Sequence, residues 1–177
     1  MYSLTVISVI NSLLAKWTKT CGANFGIFGY MDQQLLGELQ LALSGSKKIV
    51  IIPHKNPDGD ALGSSLALNY FLNKTGHYSI VIAPNEYPEF LDWMPNQEKV
   101  IKFSKATGKS TQCILEADII FTLDFNQLNR IDEMAAYVDQ SNAKIIMIDH
   151  HEHPGDYASI TYSDSNKGST CEMIFEV

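Results

Sequence analysis

The sequence predicts an α/β protein, a doubly wound, mostly parallel sheet with helices on both faces. Three observations carry this. Short runs rich in Ile and Val recur at 47–52, 78–84, 118–124 and 143–149, each too apolar to leave one face in water. Amphipathic stretches separate them, as crossovers between parallel strands require. The chain of 177 residues suffices for one such domain with a real core and is too short for two of ordinary size.

The elements follow in order from residue 47. "KKIVII" (47–52) reads as a buried strand. "ALGSSLALNYFLNKTG" (61–76) reads as a helix with Leu62, Leu66 and Tyr70 on one face and Gly76 as its stop. "YSIVIAP" (78–84) is the next strand, and "EKVIKF" (98–103) a shorter one. "SKATGKSTQCILEA" (104–117) reads weakly as helix, and "DIIFTLD" (118–124) as strand. "QLNRIDEMAAYVDQS" (127–141) predicts one helix carrying Leu128, Ile131, Ala135 and Val138, and "AKIIMID" (143–149) a further strand. Residues 1–30 differ in character and are expected to form a non-core extension upstream of the true start at Met31. The alternative is an N-terminal helix over 4–16 packed on the domain.

Composition narrows the function classes. Hydrophobic residues at 45% and charged residues at 19% exclude a disordered chain. Thirteen Lys and Arg against 20 Asp and Glu leave a charge of -7, which argues against a general duplex-DNA binder. An acidic protein still acts on phosphate if divalent cations reverse the field inside its site. Cys21, Cys113 and Cys171 are odd in number and far apart, which disfavours a disulfide framework or thiolate zinc site and fits a cytoplasmic protein. The apolar stretch at 4–15 is too short to span a bilayer, so no membrane partner is expected.

In a doubly wound sheet, sites lie beyond the carboxyl ends of the strands. The first strand runs into "PHKNPDGD", delivering His54, Asp58 and Asp60, with Pro57 and Gly59 read as turning the chain tightly. The strand at 118–124 ends at Asp124, and that at 143–149 runs into Asp149, His150 and His151. Carboxylates and imidazoles are hard-to-borderline ligands, suited to Mn, Mg, Fe or Zn. Two carboxylates about 4 Å apart repel by about 4 kcal/mol at an effective dielectric of 20, so a cluster of Asp58, Asp60 and Asp124 needs protons or cations. A pair of bridged divalent ions relieves the repulsion and activates a water for attack on phosphorus. Gly63, Ser64 and Ser65 keep side chains small beside this spot. Taken singly, each feature has a plainer reading: a turn, a helix cap, exposed histidines. Glu152, His153 and His77 are expected to be structural or solvent-exposed.

"HKNPDGDALGSS", "TLD", "IDHH" and "GST" together resemble the four motifs of the DHH phosphoesterases, over roughly residues 35–177. "PDGDALGSSLAL" and "STCEMIFEV" are most similar to the branch of bifunctional oligoribonucleases and 3'-phosphoadenosine-5'-phosphate phosphatases. Exonucleases of the RecJ type, cyclic-dinucleotide phosphodiesterases and manganese inorganic pyrophosphatases share the arrangement. The resemblance implies two Mn²⁺ ions, with Mg²⁺ as the alternative. His54 and Asp58 would hold one, Asp60 and His150 the other, and Asp124 would bridge them. It gives His151 to the scissile phosphate or the metal site, and Asp149 to orienting the imidazoles. Ser169 and Thr170 match the fourth motif near the substrate. Their plainer reading is an N-cap, with Glu172 too early for a full capping box. Arg130 is a phosphate contact or a surface charge.

The implied substrates are short RNA or a nucleotide bisphosphate, with a cyclic dinucleotide or pyrophosphate as the alternative, and a homodimer is compatible with this. In the family a further aspartate, in an "Asp-Thr" segment, and a substrate-binding C-terminal domain with a glycine-rich histidine motif follow the fourth motif. The chain ends at Val177, before both, so 31–177 reads as a DHH domain incomplete at its C-terminus. A non-catalytic remnant that binds metal or nucleotide is the reading from a different class. The coding sequence downstream of Val177 separates the two.

Overall fold

The structure is a computed structural model that describes residues 32–177. The expectations for residues 1–30, and for a start at Met31, lie outside the described residues. Helix α1 (Gln33–Ala42) leads into strand β1 (Lys48–Pro53), helix α2 (Gly59–Lys74) and strand β2 (Tyr78–Ala83). Strand β3 (Ile101–Lys102), helix α3 (Thr107–Leu115), strand β4 (Ile119–Leu123) and helix α4 (Met134–Gln140) follow. Strand β5 (Lys144–Asp149), strand β6 (Ile160–Ser163) and helix α5 (Thr170–Glu176) complete the domain.

The six strands are ordered β3-β2-β1-β4-β5-β6 and every pair is parallel, so the mostly parallel sheet predicted is wholly parallel among the described residues. Because successive strand residues face opposite ways, the sheet carries two cores. Ile49, Ile51, Phe121, Leu123, Ile146 and Ile148 pack with α1, α2 and α5 through Leu39, Leu62 and Met173. Val50, Ile52, Ile82 and Ile120 pack with α3 and α4 through Ile114, Met134 and Val138. Winding reverses between β1 and β4, which places a crevice at their carboxyl ends.

Several expectations change. Helix α2 starts at Gly59, two residues early, because the Asp58 side chain caps it by accepting from the amides of Asp60 and Ala61. Leu62 and Leu66 are buried on it as read, whereas Tyr70 is exposed. Gly76 does stop the segment, at φ 96°. The helix predicted over 127–141 is broken into a 3₁₀ turn (Leu128–Ile131) and α4, with Asp132 between them at φ 46°. The break is local competition: the Arg130 carbonyl accepts from Lys55 N at 2.8 Å, and Asp132 pairs with the Lys55 ammonium. The strand expected over 98–103 shrinks to two residues, because 3₁₀ turns at Gln97–Lys99 and Phe103–Lys105 flank it. Two elements were not anticipated. Helix α1 buries only Leu39 and carries Gly37 in its interior, so its apolar signal is thin. Strand β6 is four residues long and points Ile160 and Tyr162 inward.

Candidate metal centre

The loop after β1 is shaped by Asn56 and not by the glycine expected to turn it. Asn56 sits at φ 52°, and Asn85 pins it twice: Asn56 N donates to Asn85 Oδ1 (2.8 Å) and Asn85 Nδ2 donates to Asn56 Oδ1 (2.6 Å). Gly59 is instead the first residue of α2. Asp58 then divides its carboxylate. Oδ1 accepts the amides of Asp60 and Ala61 at 2.9 and 3.0 Å, and Oδ2 lies 3.9 Å from His54 Nε2. His54 is buried, and its Nδ1 lies 2.7 Å from the Lys55 carbonyl. A carbonyl only accepts, so Nδ1 carries the proton and Nε2 offers a lone pair to the site.

Asp124 stands at the centre. It follows β4 in the left-handed region, φ 66°, which Asp tolerates better than most residues. Its Oδ2 lies 3.6 Å from His54 Nε2, and its Oδ1 lies 3.4 Å from His150 Nε2 and 3.9 Å from His151 Nδ1. Two sets of close ligand atoms therefore share it: His54, Asp58 and Asp124, and Asp124, His150 and His151. Burial first, then the neighbouring Asp60 and, less, Asp58 push the Asp124 carboxyl up to about 7, opposed by a hydrogen bond from Thr170.

Helix α5 closes the other side. Thr170 N and Cys171 N donate to the two oxygens of Asp60, each at 2.8 Å, and Thr170 Oγ1 donates to Asp124 Oδ1 at 2.9 Å. Asp60 Oδ2 also lies 3.7 Å from His150 Nε2. Close approach of α5 to α2 depends on Gly63, where a Cβ would lie 3.2 Å from Cys171 Sγ. The small residues thus make room for a helix. Ser169 is the N-cap, accepting from Glu172 N at 3.1 Å. Glu172 is spaced correctly after all, and reaches back to Gly168 N at 3.0 Å in place of the cap's own amide.

The paired histidines lie beyond the end of β5, so strand alternation does not separate them, and their rings stand 4.7 Å apart. His151 Nδ1 is 2.7 Å from Asp149 Oδ1, and Asp149 is wholly buried. The loop behind them is seated on the Asp124 loop through Gly155 N to Asn126 O (2.7 Å) and Asn126 Nδ2 to Glu152 O (2.7 Å). A Cβ on Gly155 would meet Asn126 O at 2.8 Å.

Of the ten residues singled out, eight gather here: His54, Asp58, Asp60, Asp124, Asp149, His150, His151 and Thr170. Ser169 acts one step away as the cap. Arg130 is exposed, and among the described residues its side chain makes no ion pair or hydrogen bond; only its carbonyl serves the site, through Lys55. His153 is exposed beside Glu152, as expected, and His77 is half-buried with its pKa lowered by burial and by Lys47. Sequence reading missed Asn85, Cys171, the Lys55 carbonyl and the Lys167 carbonyl, which lies 3.4 Å from His150 Nδ1; these act through backbone or pairing and leave no pattern of residue types. The donor set suits divalent cations, being nitrogen and oxygen throughout, and a cation between these carboxylates would offset both the burial and the repulsion by Asp60 and Asp58 that raise the Asp124 carboxyl.

Residues 48–177 match the model of the DHH family, N-terminal domain. The chain belongs to the DHH family. It is 28% identical over 143 residues to the bifunctional oligoribonuclease and PAP phosphatase NrnA of Bacillus subtilis (strain 168), covering 79% of this chain and 41% of that protein. It is 27% identical over 110 residues to a probable manganese-dependent inorganic pyrophosphatase of Lactobacillus acidophilus, covering 59% of this chain and 31% of the relative. Among solved structures, an exopolyphosphatase-related protein from Bacteroides fragilis superposes with a TM-score of 0.82 at 40% identity, over 84% of this chain and 44% of that one. The chain thus spans about two fifths of the length of the NrnA relatives. Among the described residues, no helix is long and apolar enough to cross a membrane.

Proposed function

We propose that this DHH domain carries the metal-holding half of a phosphoesterase site that hydrolyses short oligoribonucleotides or 3'-phosphoadenosine-5'-phosphate. The observation that carries the reading is the divided Asp124 carboxylate, with Oδ2 toward His54 and Oδ1 toward His150. His54, Asp58 and Asp124 would hold one divalent cation, and Asp124, His150 and Asp60 a second, with Mn²⁺ favoured by the manganese-dependent relative. Bound there, the ions would supply Lewis-acid polarisation of the phosphoryl group and a nucleophile at neutral pH.

The chain's own residues do the rest. Lys55 O and Lys167 O fix which nitrogen of His54 and His150 faces the site. Thr170 Oγ1 and the α5 amides hold Asp124 and Asp60 in place. Asp149 engages His151 Nδ1–H, which leaves His151 Nε2 as the ring atom that would meet phosphate or a leaving oxygen, taking up a proton as a base or giving one up when the ring enters as imidazolium. Replacing His150 should therefore weaken metal affinity, and replacing His151 should chiefly slow turnover. The test is Mn²⁺-stimulated hydrolysis by the full-length protein. Asp124→Asn is expected to lower turnover on short RNA and on 3'-phosphoadenosine-5'-phosphate by more than ~100-fold, the upper end of what losing a ligand's orienting partner costs. Unchanged turnover would sink the bridging role. A second reading, inorganic pyrophosphatase, has the Lactobacillus acidophilus relative in its favour, and pyrophosphate in the same substrate panel decides it.

A further inference from the structure

We infer that the buried Lys167–Glu176 ion pair is a latch that positions His150 and so sets the affinity of one of the two cation sites without touching the other. The inference rests on the two-cation reading above. Lys167 belongs to the polar loop "SDSNKGS" (163–169) between β6 and α5, and Glu176 ends α5. Their side chains are 9% and 8% exposed, and Lys167 Nζ also lies 3.6 Å from Glu172 Oε1. The second Glu176 oxygen accepts from Tyr162 OH at 2.7 Å. With both Glu176 oxygens taken and Lys167 Nζ set between Glu176 and Glu172, the pair favours one geometry, and removing one partner leaves the other charge poorly solvated.

What this geometry presents to the site is the Lys167 carbonyl, 3.4 Å from His150 Nδ1. The rest of the loop is tied by backbone from Asp164 N to Asp149 O (3.2 Å) and Lys167 N to Asp164 O (3.2 Å), and by the carboxylates of Glu172, which accepts from Gly168 N (3.0 Å), and Asp164, which accepts from Asn166 N (3.0 Å). Lys167 is the residue whose side chain fastens the turn to the far end of α5. The His54 side repeats the device in a weaker form. There the Lys55 carbonyl takes His54 Nδ1 and the Lys55 ammonium pairs with Asp132, but those side chains are 47% and 48% exposed. An exposed pair is screened and contributes little, and that carbonyl has a second fastening through Arg130 O. The two histidines are thus held by unlike means, so loss of the buried pair should be felt at His150 alone.

The experiment is a Mn²⁺ titration of the full-length protein, read by the EPR signal of free Mn²⁺, with Lys167→Met, Glu176→Gln and Lys167→Arg beside the wild type. Lys167→Met and Glu176→Gln are expected to weaken one class of site by about tenfold, the lower end of what orienting groups contribute. The other class should stay within about twofold, the scale of an exposed interaction. Lys167→Arg, which keeps a cation able to pair with Glu176, should restore the weakened class. If Lys167→Met does not fold, Glu176→Gln carries the test, since it keeps the shape and removes the charge. A merely structural pair would lower thermal stability and weaken both classes together, and that result overturns the latch, as does no change in either class. A wild type that binds one Mn²⁺ fails the two-cation reading and the latch with it. Two ions in the wild type with unaltered variants fail the latch alone.

Discussion

Asp124 combines three demands on one residue: a left-handed backbone, near-complete burial, and two more carboxylates beside it. The electrostatic demand is testable without metal. Its carboxyl is raised from 3.8 to about 7 in the folded state, so between those values the folded protein keeps a proton that the unfolded chain has released. The unfolded state then binds fewer protons, and stability falls as pH rises, with a limiting slope of about 1.4 kcal/mol per unit for one group. The contribution is whole below pH 4 and gone above pH 7. Urea unfolding in EDTA from pH 4 to 7.5 should show wild type losing stability relative to Asp124→Asn. Asn tolerates the same backbone, so the difference reports charge. A constant gap between the two proteins would mean that the carboxyl is not raised.

At the scale of elements, the backbone at the edge of the sheet is managed by a side chain. Strand β3 pairs only Ile82 and Ala83 of β2, so among the described residues the first half of β2 has no outer strand. Asn73 of α2 fills part of that gap: its Oδ1 accepts from Ser79 N (3.2 Å) and its Nδ2 donates to Ser79 O (2.9 Å), as a neighbouring strand would. Asn73→Ala should cost about 1–3 kcal/mol in chemical denaturation and open the edge to pairing. Concentration-dependent association by light scattering is the second readout, and a protein that stays monodisperse and equally stable would refute the role. The same scale explains what was readable beforehand. Strands β1, β2, β4 and β5 were legible because both faces of each are buried, so composition alone betrays them. The 127–141 segment misled because its apolar spacing is helical while its Arg130 carbonyl and Asp132 carboxylate are claimed by Lys55, a contact that periodicity does not encode. At the site, residue types at strand ends marked His54, Asp124 and His150. The amides of Thr170 and Cys171 that grip Asp60 left no such mark.

For the whole molecule, the strand order is what turns scattered motifs into one site. Winding outward from β1 in both directions brings the carboxyl ends of β1, β4 and β5 side by side, and with them His54, Asp124 and His150 from distant parts of the chain. An ion bound there ties together both halves of the sheet and the start of α2, and the unfolded chain offers no equivalent. Binding to the folded state alone stabilises by about 2.7 kcal/mol at a ligand concentration 100 times Kd. For a domain of this size each kcal/mol moves Tm by roughly 2–4 °C, so one saturated site should raise it by about 5–10 °C. Thermal melts in Mn²⁺ against EDTA measure this directly. On the two-cation proposal, Asp124→Asn should erase most of the shift, whereas Lys167→Met should erase only the part that would belong to an ion at His150. An equal shift in wild type and Asp124→Asn would place metal binding elsewhere in the molecule and separate the DHH motifs from the cation they are built to hold.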